Sequence, residues 1–186
     1  MQKDYEILKK TISPTIILCC SIAIIGRLIP HPWGATPNLA ILFAIGKQLS
    51  KRQTILFGIL TIVAADILIN ISHGYALFGT WALFTYSGWA VIALICSTDY
   101  TKQLSSIHTK LGFIVTSSIA FWVWTNFGVW LCSPIYERSI LGLTECFTMG
   151  LPFLKYSLIG NIIWSAILLS AIQYSTKKYH TTGQTV

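Results

Sequence analysis

Apolar residues fill six stretches of this chain, approximately 12–30, 37–49, 53–72, 79–97, 111–132 and 151–174, and polar residues gather between them. A helix needs about 20 apolar residues to cross a bilayer core, so five of the stretches are long enough. The second holds 13 residues and, at about 1.5 Å of rise per residue, reaches only about 20 Å. It fits a short tilted span or a re-entrant hairpin. The pattern predicts an all-α fold, an integral membrane bundle of six transmembrane helices with a short second helix. No linker-like run of Gly, Ser or Pro and no internal repeat divides residues 1–186, which read as a single transmembrane domain.

Charge orients the bundle. Charged residues make up 10% of the chain, against about 25% in an ordinary soluble domain, which excludes a soluble class. If all six stretches cross, one side receives Lys3, Lys9, Lys10, Lys47, Lys51, Arg52, Lys102, Lys110, Lys177 and Lys178, ten of the thirteen basic residues, and the other keeps Arg27, Arg138 and Lys155. Lys and Arg concentrate in cytoplasmic loops, so both termini are expected to be cytoplasmic, in a bacterial inner membrane. A re-entrant second stretch would put Lys47, Lys51 and Arg52 outside, and six crossings are therefore preferred. The net charge of +7 then reads as a topology signal, and nucleic acid is not an expected partner. The first apolar run continues past "SIA" at 21–23 to Pro30, so it reads as a span rather than a removable signal.

One face of the third stretch breaks the apolar rule. Asp66, Asn70 and His73 follow one another at four and then three residues, a spacing that puts them on one helix face. They climb toward the extracytoplasmic mouth. A charge inside a span costs about 2.5–3.5 kcal/mol on insertion scales and normally faces the bundle interior with a partner. Arg27, which ends the first stretch, and Lys155, one turn into the sixth, are the basic residues at comparable depth. Asn161 lies near the middle of the sixth. These groups either hold helices together or line a substrate cavity.

The outer connections favour the cavity. "RLIPHPWGATPN" (27–38) is Pro-rich and extended, so it displays His31 and Trp33 instead of burying them in a helix. "SHGYALFGTW" (72–81) presents Tyr75, and a long third connection covers 132–152. In the fifth stretch Trp122, Asn126 and Trp130 recur every four residues, flat indoles around an amide that suit a planar, partly polar ligand. The expected substrate-binding set is Arg27, His31, Trp33, Asn38, Asp66, Asn70, His73, Tyr75, Trp122, Asn126, Trp130, Lys155 and Asn161.

The chain has no G-x-x-x-x-G-K-[ST], H-E-x-x-H, C-x-x-C or G-x-S-x-G motif. Asp66 and His73 sit about 10 Å apart along a helix axis, too far for a triad. No catalytic residue, metal or cofactor is expected. An intramembrane enzyme using Asp66 and His73 as separate acid and base stays open as an alternative, as does a structural or assembly subunit of a membrane complex. Cys132 and Cys146 both fall on the outer side, where a disulfide or two free thiols are open readings.

The motifs "R-x-x-P-H-P" (27–32), "P-N" (37–38), Asp66 with "S-H-G" (72–74), "T-N-F-G-V-W" (125–130), "Y-x-R" (136–138), "G-L" (142–143) and "P-F" (152–153) together resemble an uncharacterised family of small bacterial membrane proteins, over about positions 25 to 170. In architecture, though not in a shared motif, the chain is similar to the substrate-binding S components of energy-coupling factor vitamin transporters, including solitary cobalamin-type members. That similarity implies capture of a small molecule at the extracytoplasmic face, with ATP-hydrolysing energising subunits as partners where present. The expected function is a substrate-binding membrane subunit or small transporter for a vitamin-like or other small planar metabolite.

Overall fold

The computed structural model describes residues 14–29, 34–46, 49–76 and 78–182. Among them are seven helices and no strand: α1 (Pro14–Leu28), α2 (Asn38–Gly46), α3 (Lys51–His73), α4 (Trp81–Cys96), α5 (Asp99–Gln103), α6 (Ile107–Cys132) and α7 (Ile140–Thr182). The last turns of α1, α3 and α6 lie at one end of the bundle, called the upper end below, and those of α2 and α4 lie at the other.

Local chemistry sets the boundaries. Ser50 opens α3 with a capping box, its hydroxyl accepting from the Gln53 N–H while its own N–H donates to Gln53 Oε1 at 3.1 Å. Gly74, at φ 70°, closes α3 in the left-handed conformation, and Tyr75 N–H donates back to the Asn70 carbonyl at 2.8 Å. Ser106 caps α6 by accepting from Thr109 N–H at 3.2 Å. At the far end of α6, the Arg138 guanidinium donates to the carbonyls of Trp130, Ser133 and Tyr136, covering acceptors that the helix itself leaves open.

Two elements depart from the sequence expectation. The short α5 occupies what reads as a loop, and α7 begins at Ile140, eleven residues before the sixth apolar stretch. Gly150 and Pro152 look like helix breakers there, yet α7 continues through both. The Trp122 indole N–H donates to the Gly150 carbonyl at 2.8 Å and so ties α6 to α7 beside the proline.

The second stretch folds as α2, whose nine residues are all buried. Its sequence, NLAILFAIG, is apolar all round, a pattern that suits either a protein interior or lipid. It is enclosed by α1, α3, α4, α6 and α7. Nine residues rise about 14 Å, and the irregular chain before α2 supplies the remaining descent into the bundle. Gly160 permits that approach, since a Cβ there would lie 2.5 Å from Ala35 Cα. At the lower end, a Cβ on Gly46 would lie 2.6 Å from the Cys96 carbonyl oxygen. Non-helical backbone is thus packed inside the molecule between α1 and α7.

Three helical segments, α3, α6 and Ile140–Leu168 of α7, are long and apolar enough to cross a membrane, and α1 and α4 add shorter apolar helices. Their outer faces keep Leu60, Ile71, Leu83, Ile119 and Ile163 exposed. Inside, Leu39 and Phe43 of α2 pack with Ile62, Trp89 and Ile114 from three other helices.

Candidate functional site

The site begins with one carboxylate. Asp66 is 5% exposed, and both its oxygens are engaged: Arg27 Nη2 donates to Oδ1 and the Tyr86 hydroxyl donates to Oδ2 at 3.0 Å. The pair ties α1, α3 and α4 together. A buried carboxylate demands such matching, because an unpaired charge in a low-dielectric interior is costly. Lys155, the other cation considered for Asp66, is exposed with Nζ 5.8 Å from the centre of the Tyr156 ring. Arg27 is the ion-pair partner.

Arg27 also forms part of the wall of a cavity of about 360 Å³ in the middle of the bundle. The irregular segment contributes Gly34 and Thr36, and α2 and α3 contribute Leu39 and Ile69. Trp89 and Phe121, from α4 and α6, make an aromatic wall with ring centres 4.9 Å apart and planes inclined at 47°. Gly34 takes φ 80°, a conformation costly for other residues, and touches α7 at Ser157. The polar floor is built by α6 and α7. Asn161, 6% exposed, donates from Nδ2 to Ser118 Oγ at 2.9 Å and Ser157 Oγ at 3.3 Å, and Ser118 in turn donates to the Ile114 carbonyl at 2.8 Å. Thr85 and Ser117 add two further hydroxyls.

A second space of about 380 Å³ adjoins the first toward the upper end, sharing Gly34, Phe121, Thr125 and Ser157 with it. Trp122 and Asn126 line this vestibule together with Tyr136, Met149 and Phe153. A third, larger groove of about 720 Å³ runs along α4, α5 and α6 on the far side of Phe121. It holds no charged residue and no amide, whereas the central cavity brings a guanidinium, an amide and several hydroxyls together against aromatic rings. Convergent polar groups on an apolar background mark the central cavity as the candidate site.

A family model for DUF6580, described as a family of unknown function, matches residues 8–182. The chain belongs to that family. No curated protein and no solved structure matches it.

The structure places the sequence-predicted residues of this DUF6580 chain unevenly. Arg27 and Asn161 line the cavity, and Trp122 and Asn126 line the vestibule. Asp66 acts one layer back, through Arg27, while Asn70 is buried and lines neither space. His73, expected to meet ligand at the mouth, is exposed at the end of α3. Its Nδ1 lies 2.9 Å from the Ile69 carbonyl and 3.0 Å from Ser72 Oγ, and its ring stacks on that of Tyr75. Trp130 turns from the stripe to donate to the Glu137 carbonyl at 3.0 Å. Asn38, expected among the substrate-binding residues, is the first residue of α2 and only 3% exposed. It lines a cleft of about 10 Å³ with Thr61 and Gly58, and its amide has no partner among the described residues. That room suffices for about one water. His31 and Trp33 lie outside the described residues. Cys132 and Cys146 are free thiols.

Sequence reasoning missed Tyr86, Thr85, Ser117, Ser118 and Ser157. Single hydroxyls in apolar helices are common and satisfy themselves on the preceding turn, as Ser118 does, so nothing in the sequence distinguishes those that line a cavity. Tyr86 was findable: Asp66 needs a second donor once Arg27 takes one oxygen, and a Tyr on the next helix at the same depth supplies it.

Proposed function

We propose that this protein is a substrate-binding subunit or small transporter of the bacterial inner membrane that captures a small planar metabolite in the central cavity. The observation that carries this reading is the convergence of Arg27, Asn161 and several hydroxyls from separate helices around one space with aromatic walls and an adjoining vestibule. A bundle that needed only cohesion would fill such a space, since packed interiors leave few voids larger than a water. Irregular backbone inside a membrane bundle is tolerated where it lines a cavity, and residues 34–37 fit that role.

In this reading the chain crosses the bilayer six times with both termini cytoplasmic, α2 and the segment before it making one crossing. Exposed Lys51, Arg52 and Lys102 at the lower end support a cytoplasmic assignment for that end. The vestibule then opens to the extracytoplasmic side, and the lateral groove between α4 and α6 faces lipid chains. ATP-hydrolysing partner subunits, where present, would energise release into the cell. The enzyme alternative finds no support in the placement of Asp66 and His73, one held by Arg27 and Tyr86 and the other stacked on Tyr75.

Mass spectrometry of small molecules that co-purify with the full chain tests the reading. The wild type should carry at least one heterocyclic metabolite that Ser157→Trp, whose indole fills the junction of cavity and vestibule, loses. Identical small-molecule content in the two proteins would contradict it.

A further inference from the structure

The charge balance of the cavity wall restricts what the wall can hold. Arg27 is the only ionisable side chain lining the cavity among the described residues. Its positive charge is already met by Asp66, whose second oxygen is met by Tyr86. The wall is therefore neutral as a unit. A ligand carboxylate would add an uncompensated negative charge beside Asp66, and a ligand cation would face Arg27; either places an unpaired charge in a poorly solvated space. A neutral ligand avoids both penalties.

The hydrogen-bonding groups narrow the class further. Asp66 engages one guanidinium nitrogen of Arg27. A guanidinium carries five N–H donors, so Arg27 has donors to spare for an acceptor in the cavity. Asn161 uses its Nδ2 on Ser118 and Ser157, which leaves its carbonyl oxygen as an acceptor. The ligand should thus offer an acceptor on one edge and an N–H on another, with a flat face for Trp89 and Phe121.

We infer that the cavity selects an uncharged heteroaromatic or cyclic amide, accepting from Arg27 and donating to Asn161, over its carboxylate or cationic analogues. This inference rests on the proposed function of the same cavity and adds the charge class of the substrate. Two matched pairs of probes test it on the purified full chain at pH 7.5: nicotinamide against nicotinate, and uracil against orotate. Binding is read from the shift in melting temperature across a concentration series. At least one neutral member should raise the melting temperature, with its acid at least ten times weaker. In Asp66→Asn, where Arg27 loses its counter-charge, the preference should invert toward the acid. The wild-type comparison stands alone if that variant does not fold.

An acid bound as tightly as its neutral partner by the wild type would overturn the inference, and so would the failure of both neutral probes to bind. The probes are repeated on Ser157→Trp, or on Thr125→Trp if the first does not fold. Undiminished binding there would place the probes elsewhere and count against the cavity itself. Binding that is lost on plugging but favours the acid would leave the cavity standing and overturn only the charge class.

Discussion

Replacing Asp66 by Asn removes the counter-charge of a half-buried guanidinium and one acceptor of the Tyr86 hydroxyl. Breaking a buried pair by one partner typically costs about 3–5 kcal/mol, so Asp66→Asn should melt well below the wild type in detergent. Lys155→Ala, an exposed site away from the pair, should stay within about 0.5 kcal/mol of neutral. Equal losses in the two variants would contradict the assignment of Arg27 as partner. His73→Ala should alter neither melting nor ligand retention, because the ring stacks on Tyr75 outside both spaces. At this scale the sequence carried real information. Four-then-three spacing put Asp66 and Asn70 on a common buried face, and depth reduced the choice of cation to two. Spacing alone could not show that the Gly74 turn ends the helix just past His73 and leaves that ring in the open.

Between elements, the close approach of the irregular segment to α7 shapes the cavity. Gly160→Val sets branched carbons against the Ala35 backbone, and overpacking of this kind typically costs about 1–3 kcal/mol. Melting of the purified variant checks it; a stability equal to wild type would mean that residues 34–37 do not pack where described. Gly112 stands in open space, with no neighbouring atom within 4 Å of where a Cβ would sit. It should accept Ala with no loss, or gain up to about 1 kcal/mol from helix propensity. The second stretch read as a short tilted span or a re-entrant hairpin, since an all-apolar helix suits lipid as well as a protein interior. Its role as an enclosed nine-residue helix was not legible, because length and hydropathy are the same for a tilted span and for a helix wrapped by its neighbours. Pro152 misled in the opposite direction: in sequence it marks a helix end, yet helix-interior Pro is tolerated within packed bundles and α7 runs through it.

Among the described residues the molecule is an apolar bundle whose buried ion pair and buried amides, Asp66, Asn38, Asn70 and Asn161, lie in its middle and upper part. Its proposed orientation gives a direct expectation: a reporter active only in the cytoplasm should work when fused at Val186 and fail when fused near Tyr136. Activity at Tyr136 would contradict the six-crossing topology. Helix content and the three long apolar helices were legible from the pattern of apolar residues, whereas the cavity was not, since it arises where helices distant in sequence fail to fill the space between them. Whether this space is a binding site is read from a cryo-electron microscopy map of the full chain in lipid nanodiscs, purified with its co-purifying small molecule. Non-protein density is expected between Arg27, Asn161 and the Trp89–Phe121 wall. Density confined to the groove along α4 and α6, with the central cavity closed by side chains, would contradict the binding-site reading.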